Sequence, residues 1–220
     1  MQKFDTTAPI TAILDIPAGR VQLIAADRVD ATVEVRPADA AKSRDVKAAE
    51  QTTVDYAEGV LRVVSPQGDQ RFGSSGAVEV TVQLPVGSRV EVKAAATELR
   101  SVGRLGDLAF DGAYRQIKVD ETASLRLTAT DGDVEVGRLT GPADITTARG
   151  DIRIAEATGG KLSLKTQSGD ITVTAAAGVS ATLDAGTTLG RVSNSLRNDG
   201  ATVLDIHATT TQGDITARSL

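Results

Sequence analysis

Along most of the chain, apolar and polar residues alternate in short runs, the period-2 pattern of half-buried strands. In the first third these runs fall at residues 11–16, 20–24, 31–36, 52–56, 60–64 and 77–84. Pro17-Ala18-Gly19, Glu58-Gly59 and Pro85-Val86-Gly87 supply turns between them. Residues 39–51 lose the alternation and gather helix formers, which predicts one short helix with Asp39 as its N-cap. Residues 65–76 (SPQGDQRFGSSG) are polar, Gly-rich and unpatterned, and read as an exposed loop.

From residue 89 onward the alternation becomes a repeat. Gly132-Asp133, Gly150-Asp151, Gly169-Asp170, Gly190-Arg191 and Gly213-Asp214 recur at spacings of 18, 19, 21 and 23. Two degenerate copies precede them, at Thr97-Glu98 and Arg115-Gln116. Other positions keep step. One residue after each dipeptide stand Leu99, Ile117, Val134, Ile152, Ile171, Val192 and Ile215. Six residues before its second member stand Val92, Phe110, Leu127, Ile145 and Leu164, and a two-residue insertion brings Leu183 and Ile206 into that slot. With the same insertion, a small-residue column reads Ala94, Gly112, Ala129, Thr147, Thr166, Ala185 and Ala208. Only 40% of the residues are hydrophobic, so wholly apolar columns require a shared interior. A period near 20 with short strands predicts a solenoid. Each repeat is strand, tight corner, strand and return loop, with the dipeptide at the corner.

The expected fold is therefore all-β. A parallel β-solenoid of about seven coils over residues 89–220 follows a small antiparallel β region with one short helix over residues 1–88. The last repeat, from Gly213 to Leu220, is expected to leave its coil uncapped unless residues 194–200 fold back over it.

Composition narrows the chemistry. Trp and Cys are absent and Phe and Tyr total five, so the core must be Val, Ile, Leu and Ala. Net charge is -5 with both signs interspersed. Without a basic stripe or stacking aromatics, nucleic acid is an unsuitable partner. No thiolate metal site or disulfide can form. Residues 1–20 hold Asp5, Pro9, Asp15 and Pro17, so they do not read as a secretory signal. No apolar run reaches the ~18 residues of a membrane span. The expectation is a cytoplasmic protein, with a cell-surface location as the alternative.

The units Thr147-Ala-Arg-Gly-Asp-Ile152 and Thr166-Gln-Ser-Gly-Asp-Ile171 resemble an uncharacterised bacterial family of β-strand-repeat proteins labelled "putative adhesin". Residues 211–218 and 13–21 look like its actinobacterial version. The resemblance covers nearly the whole chain and implies a repeat fold. It brings no catalytic residues.

Candidate sites were weighed against simpler roles. Asp133, Asp151 and Asp170 would form an acidic ladder of the kind that binds Ca²⁺ in some β-rolls, but each repeat offers one regular Asp, which fits turn stabilisation. Gly132, Gly150, Gly169, Gly190 and Gly213 read as structural corners. Arg149-Gly150-Asp151 matches an integrin-type tripeptide but falls in the repeat register. His207, the only histidine, lacks the Cys or His neighbours of a transition-metal site. No nucleophile elbow, P-loop or dinucleotide fingerprint occurs. These readings give no catalytic residue, cofactor or resident metal. They point to a non-enzymatic scaffold or protein-interaction module, self-associating through its uncapped C-terminal coil. The alternatives are a surface adhesin exported non-classically and a carbohydrate-active β-helix enzyme. The irregular parts best suited to carry function are residues 65–76, residues 187–200 and the last coil.

Overall fold

The computed structural model describes residues 1–67, 76–112 and 116–220. Most of the loop at residues 65–76, and Arg115 of the second degenerate dipeptide, lie outside them. Contacts divide the chain into two compact units, Met1–Arg115 and Gln116–Leu220. Among the described residues both are almost entirely β.

The first unit contains β1 (Gln2–Asp5), β2 (Thr11–Asp15), β3 (Ala18–Ala26), β4 (Asp30–Pro37), α1 (Ser43–Gln51), β5 (Thr53–Ala57), β6 (Val60–Val64), β7 (Val78–Pro85), β8 (Arg89–Lys93), β9 (Ala96–Val102) and β10 (Arg104–Asp111). Every strand expected before residue 88 is present. Their pairing is not the simple antiparallel one expected. Strand β2 lies parallel between β6 and β8, and β3 lies parallel between β7 and β9. Among the described pairings, the antiparallel ones are β1 with β4, β4 with β7, and β5 with β6. The first β2–β3 coil is thus interposed between two coils made by later sequence. Alternation sets which face of a strand is buried, but it does not set the partner. The inward residues Ala12, Leu14, Val21 and Leu23 are fully buried.

Helix α1 falls where the sequence places it, with one correction. Its N-cap is Lys42, which makes no side-chain cap bond. Asp39 instead accepts from the Ala41 amide at 2.9 Å and stabilises the turn before the helix. The helix is pinned by buried Asp45, whose Oδ1 accepts from the Ala77 amide at 3.0 Å.

The second unit contains β11 (Ile117–Asp131), β12 (Val134–Leu139), β13 (Ala143–Arg149), β14 (Ile152–Ala157), β15 (Gly160–Lys165), β16 (Ile171–Ala175), β17 (Ala181–Leu189), β18 (Val192–Ser195), β19 (Leu204–Gln212) and β20 (Ile215–Ser219). Its described pairings are all parallel. One face runs β11, β12, β14, β16, β20, β18. The other runs β11, β13, β15, β19, β17. Each Gly dipeptide lies between a strand of the second face and one of the first.

The order of levels corrects the sequence reading twice. The last coil, β19–β20, is not the outermost. It lies between β15–β16 and β17–β18, hydrogen-bonded on both sides. The chain steps past one level after β16 and returns through residues 196–203. The long spacings of 21 and 23 serve these two steps and are not insertions within the strands. Leu162 therefore pairs with Ile206, and Leu164 with Ala208. The small column contains Thr187 and Thr210, which pair with each other, in place of Ala185 and Ala208.

The corners explain why the register holds. Gly169 and Gly213 have φ of +150° and +146°, where side chains are strained. A Cβ on Gly169 would lie 2.1 Å from the Gly150 carbonyl oxygen, and one on Gly213 2.0 Å from that of Gly169. Successive levels stack glycine on glycine, with no room for a methyl group. Gly178 also has positive φ but open space around its Cβ position. We expect Gly169→Ala to destabilise the protein by roughly 2–4 kcal/mol and Gly178→Ala by about 1 kcal/mol. Urea unfolding of the two variants checks this. Equal costs would show that stacking adds nothing to backbone strain.

Candidate functional site

The five corners of the second unit carry three ladders. In the first, each aspartate caps the next level. Asp133 Oδ1 accepts from the Asp151 amide at 2.9 Å, Asp151 Oδ1 from the Asp170 amide at 2.8 Å, and Asp170 Oδ1 from the Asp214 amide at 2.7 Å. Asp214 Oδ1 accepts from the Arg191 amide at 2.8 Å. In the second ladder, Thr166, Thr210 and Thr187 donate hydroxyls to the carbonyls of Gly150, Gly169 and Gly213. The stacked glycines form the third. At its four threonines, Thr147, Thr166, Thr187 and Thr210, the small column supplies a hydroxyl as well as small size.

This accounts for the candidates of the repeat. The Oδ1 atoms of Asp133, Asp151 and Asp170 act as backbone caps. Among the described residues no group of three or more His, Cys, Asp or Glu side chains gathers to hold a metal ion. In the Arg149-Gly150-Asp151 tripeptide, Arg149 pairs with Asp131 at 2.9 Å and Asp151 caps Asp170. Arg191 marks the outermost level, where no further amide needs a cap. Its guanidinium donates back to Asp214 Oδ2 at 3.2 Å.

A second polar cluster joins the outer two levels. His207 on β19 lies between carboxylates, with Nδ1 3.2 Å from Asp184 Oδ2 and Nε2 3.1 Å from Asp205 Oδ2. Thr182 donates to Asp205 at 3.2 Å. The His207 contact holds the Asp205 carboxyl below the usual range, opposed by partial desolvation. The histidine thus fastens β17 to β19.

In the first unit a shallow depression of about 290 Å³ is lined by small residues with Arg20, Glu79 and Glu98. Arg20 lies 3.6 Å from Glu79 and 3.4 Å from Glu98. The arginine occupies the space between the carboxylates, where acid–base chemistry would need a substrate.

The outermost coil stands apart from these satisfied features. Among the described residues β17 pairs only with β19, and β18 only with β20. Among the described residues the Ala181 amide donates to the Arg197 carbonyl at 2.9 Å, and the other outer backbone groups of β17 and β18 have no neighbouring strand. Val192 continues the Ile152–Ile171–Ile215 column. It is 46% exposed, whereas Ile215 is buried. Leu189 beside it is 63% exposed. Strands β17 and β18 (ATLDAGTTL and VSNS) contain no Pro or Lys and a single charge, Asp184. They lack the devices that usually protect an edge. Residues 187–200, singled out from sequence, fall here, while Asp184 and Leu183 were not singled out as part of this surface. The widened spacing was the signal for an extra level.

The Toastrack DUF4097 profile matches residues 13–219. The chain belongs to the Toastrack DUF4097 family. No curated protein matches its sequence. Among solved structures it is similar to a "putative adhesin" from Bacteroides fragilis NCTC 9343, with 10% identity and a TM-score of 0.50. That match covers 100% of this chain and 95% of the other. A "putative adhesin" from Parabacteroides distasonis ATCC 8503 has 13% identity and a TM-score of 0.41, covering 98% and 95%. The Bacteroides likeness concerns the fold. For this Toastrack chain, no helix among the described residues is long and apolar enough to cross a membrane.

The last aspartate of the ladder, Asp214, carries a pH signature. The Arg191 amide hydrogen bond, helped by the guanidinium, lowers the Asp214 pKa against partial desolvation. A carboxyl with a lower pKa folded than unfolded stabilises the fold above the unfolded value of ~3.9 and loses that contribution as pH falls through the folded value. Asp214→Ala should therefore lower the melting temperature at pH 6–7. The gap from wild type should narrow as pH falls below about 4. A gap constant from pH 7 to pH 2 would exclude the carboxylate as its source.

Proposed function

We propose that this Toastrack protein is a non-enzymatic protein-interaction module that docks partners on its β17–β18 coil. The observation that carries the reading is an unpaired two-strand edge with core-column Val192 and its neighbour Leu189 exposed. Such an edge offers backbone donors and acceptors to an incoming strand, and apolar contacts reward the fit. The ladders favour a rigid support for that edge, because each level's polar groups at the corner are already satisfied. We take the module to work in the cytoplasm.

The adhesin descriptions of the similar structures favour a second reading, a surface adhesin using the same edge. The readings differ in where the protein resides and share the docking surface.

A photoreactive amino acid at Val192 tests that surface in native host cells, with the same group at Arg153 as control. Arg153 is exposed on β14, inside the ladder. Crosslinks should arise mainly at Val192, at least about tenfold above Arg153. Equal capture at both positions would remove the edge from the proposal.

A further inference from the structure

Resting on the β17–β18 docking surface, we propose that its occupant is a second copy of this chain, paired end to end about a twofold axis through the Gly190-Arg191 corner. A single donated strand would cover one of the two edges. The end of another coil offers two edges meeting at a corner, matching the shape exposed here. A twofold interface also requires that the surface complement itself.

The register about this corner does so. Rotation about an axis between Gly190 and Arg191 lays β17 of one copy antiparallel on β18 of the other. Residues equally far from the corner then face each other. Leu189 meets Val192, joining the two exposed apolar residues beside the corner. Thr187 meets Asn194, and Ala185 meets Leu196. The inward column is preserved. Thr187, Ala185 and Val192 register with the inward residues Thr210, Ala208 and Ile215 beneath them. Directly opposed residues in an antiparallel pair share one side, so inward residues meet inward residues.

On the outward side the same register brings Asp184 to Arg197. Asp184 is the sole charge of β17, and its side chain is 82% exposed despite its contact with His207. The Arg197 side chain is 64% exposed and makes a long contact, 3.8 Å, to Asp199, while its backbone bonds Ser219 and Ala181 of the same copy. The two remaining corner charges do not oppose the pairing, since Arg191 folds back on Asp214 of its own copy. Each apolar or charged contact occurs twice by symmetry.

Sedimentation of the full-length protein from about 1 μM to about 1 mM tests the pairing. A monomer–dimer equilibrium is expected. Arg197→Glu removes both symmetric ion pairs and should weaken dimerisation by about tenfold or more, and adding Asp184→Lys should restore it to within about threefold. The chain has no cysteine, which permits a second measurement on variants that keep every charge. Mixing Leu189→Cys with Val192→Cys under mild oxidation should give more disulfide dimer than either variant alone. A monomer across the whole range would overturn self-pairing, as would a dimer insensitive to Arg197→Glu or equal disulfide yield in mixed and single samples. If Val192 crosslinks to a different protein while the chain stays monomeric, the docking surface stands and the second copy falls. If Val192 captures nothing above Arg153 and the chain is monomeric, both fall.

Discussion

The second unit depends on one constraint, the close stacking of Gly150, Gly169 and Gly213 at the corner of the coil. At these positions a Cβ would meet a neighbouring glycine carbonyl within 2.0–2.3 Å. The absence of side chains lets the corner backbones approach, and the approach makes the other ladders possible. An aspartate one residue on reaches the amide of the next level, and a threonine three residues back reaches a glycine carbonyl. These bonds repeat with the coil and would not survive a slip of one residue. They fix the register more strictly than apolar columns can, because Leu and Ala both satisfy a hydrophobic rule. This is why Ala208 stands beside Leu164 although Ile206 is the larger residue.

A strict corner also separates spatial order from chain order. Any repeat with the right corner can dock on any other, so the order of levels is decided by the returns between them. Short returns, as between Gly132, Gly150 and Gly169, carry the chain to the adjacent level. The longer ones after β16 and β18 carry it past a level and back. The first unit reaches a similar result by another route, with β2–β3 set between coils formed later in the sequence. Early and late strands gain two hydrogen-bonded neighbours each in this way, where a simple sequential stack would leave their edges bare.

This separation defines what the sequence could reveal. Strand positions, α1 and the corner role of the Gly-Asp pairs follow from local alternation and turn chemistry, and they were legible. The capping role of Asp133, Asp151 and Asp170 was legible as turn stabilisation, though not the fact that each cap serves the next level. Strand partners were not legible, because alternation fixes the face of a strand and leaves its neighbour open. The docking surface was legible only in part. Residues 187–200 stand out as irregular, but sequence order puts the last coil at the end of the stack, where the structure puts β17 and β18. The widening from 19 to 21 and 23 residues held the missing information. With a two-residue insertion Leu183 and Ile206 fit the apolar slot and Ala185 and Ala208 the small one, so residue type alone leaves the place of the extra residues open.

Arg191 joins these points. At Gly132, Gly150, Gly169 and Gly213 the dipeptide ends in an aspartate whose carboxylate receives an amide from the level above. At the outermost level no such amide exists, and an aspartate would expose an uncompensated charge beside Asp214. Arginine instead donates its amide and guanidinium downward, engaging both oxygens of Asp214. The one departure among the five Gly dipeptides therefore lies where this stack ends in space, three strands before the last residue in sequence. A substitution that looks like decay of a motif is the chemistry of a terminal level. It closes the ladder at the corner, while the outer sides of β17 and β18 are left with no neighbouring strand among the described residues.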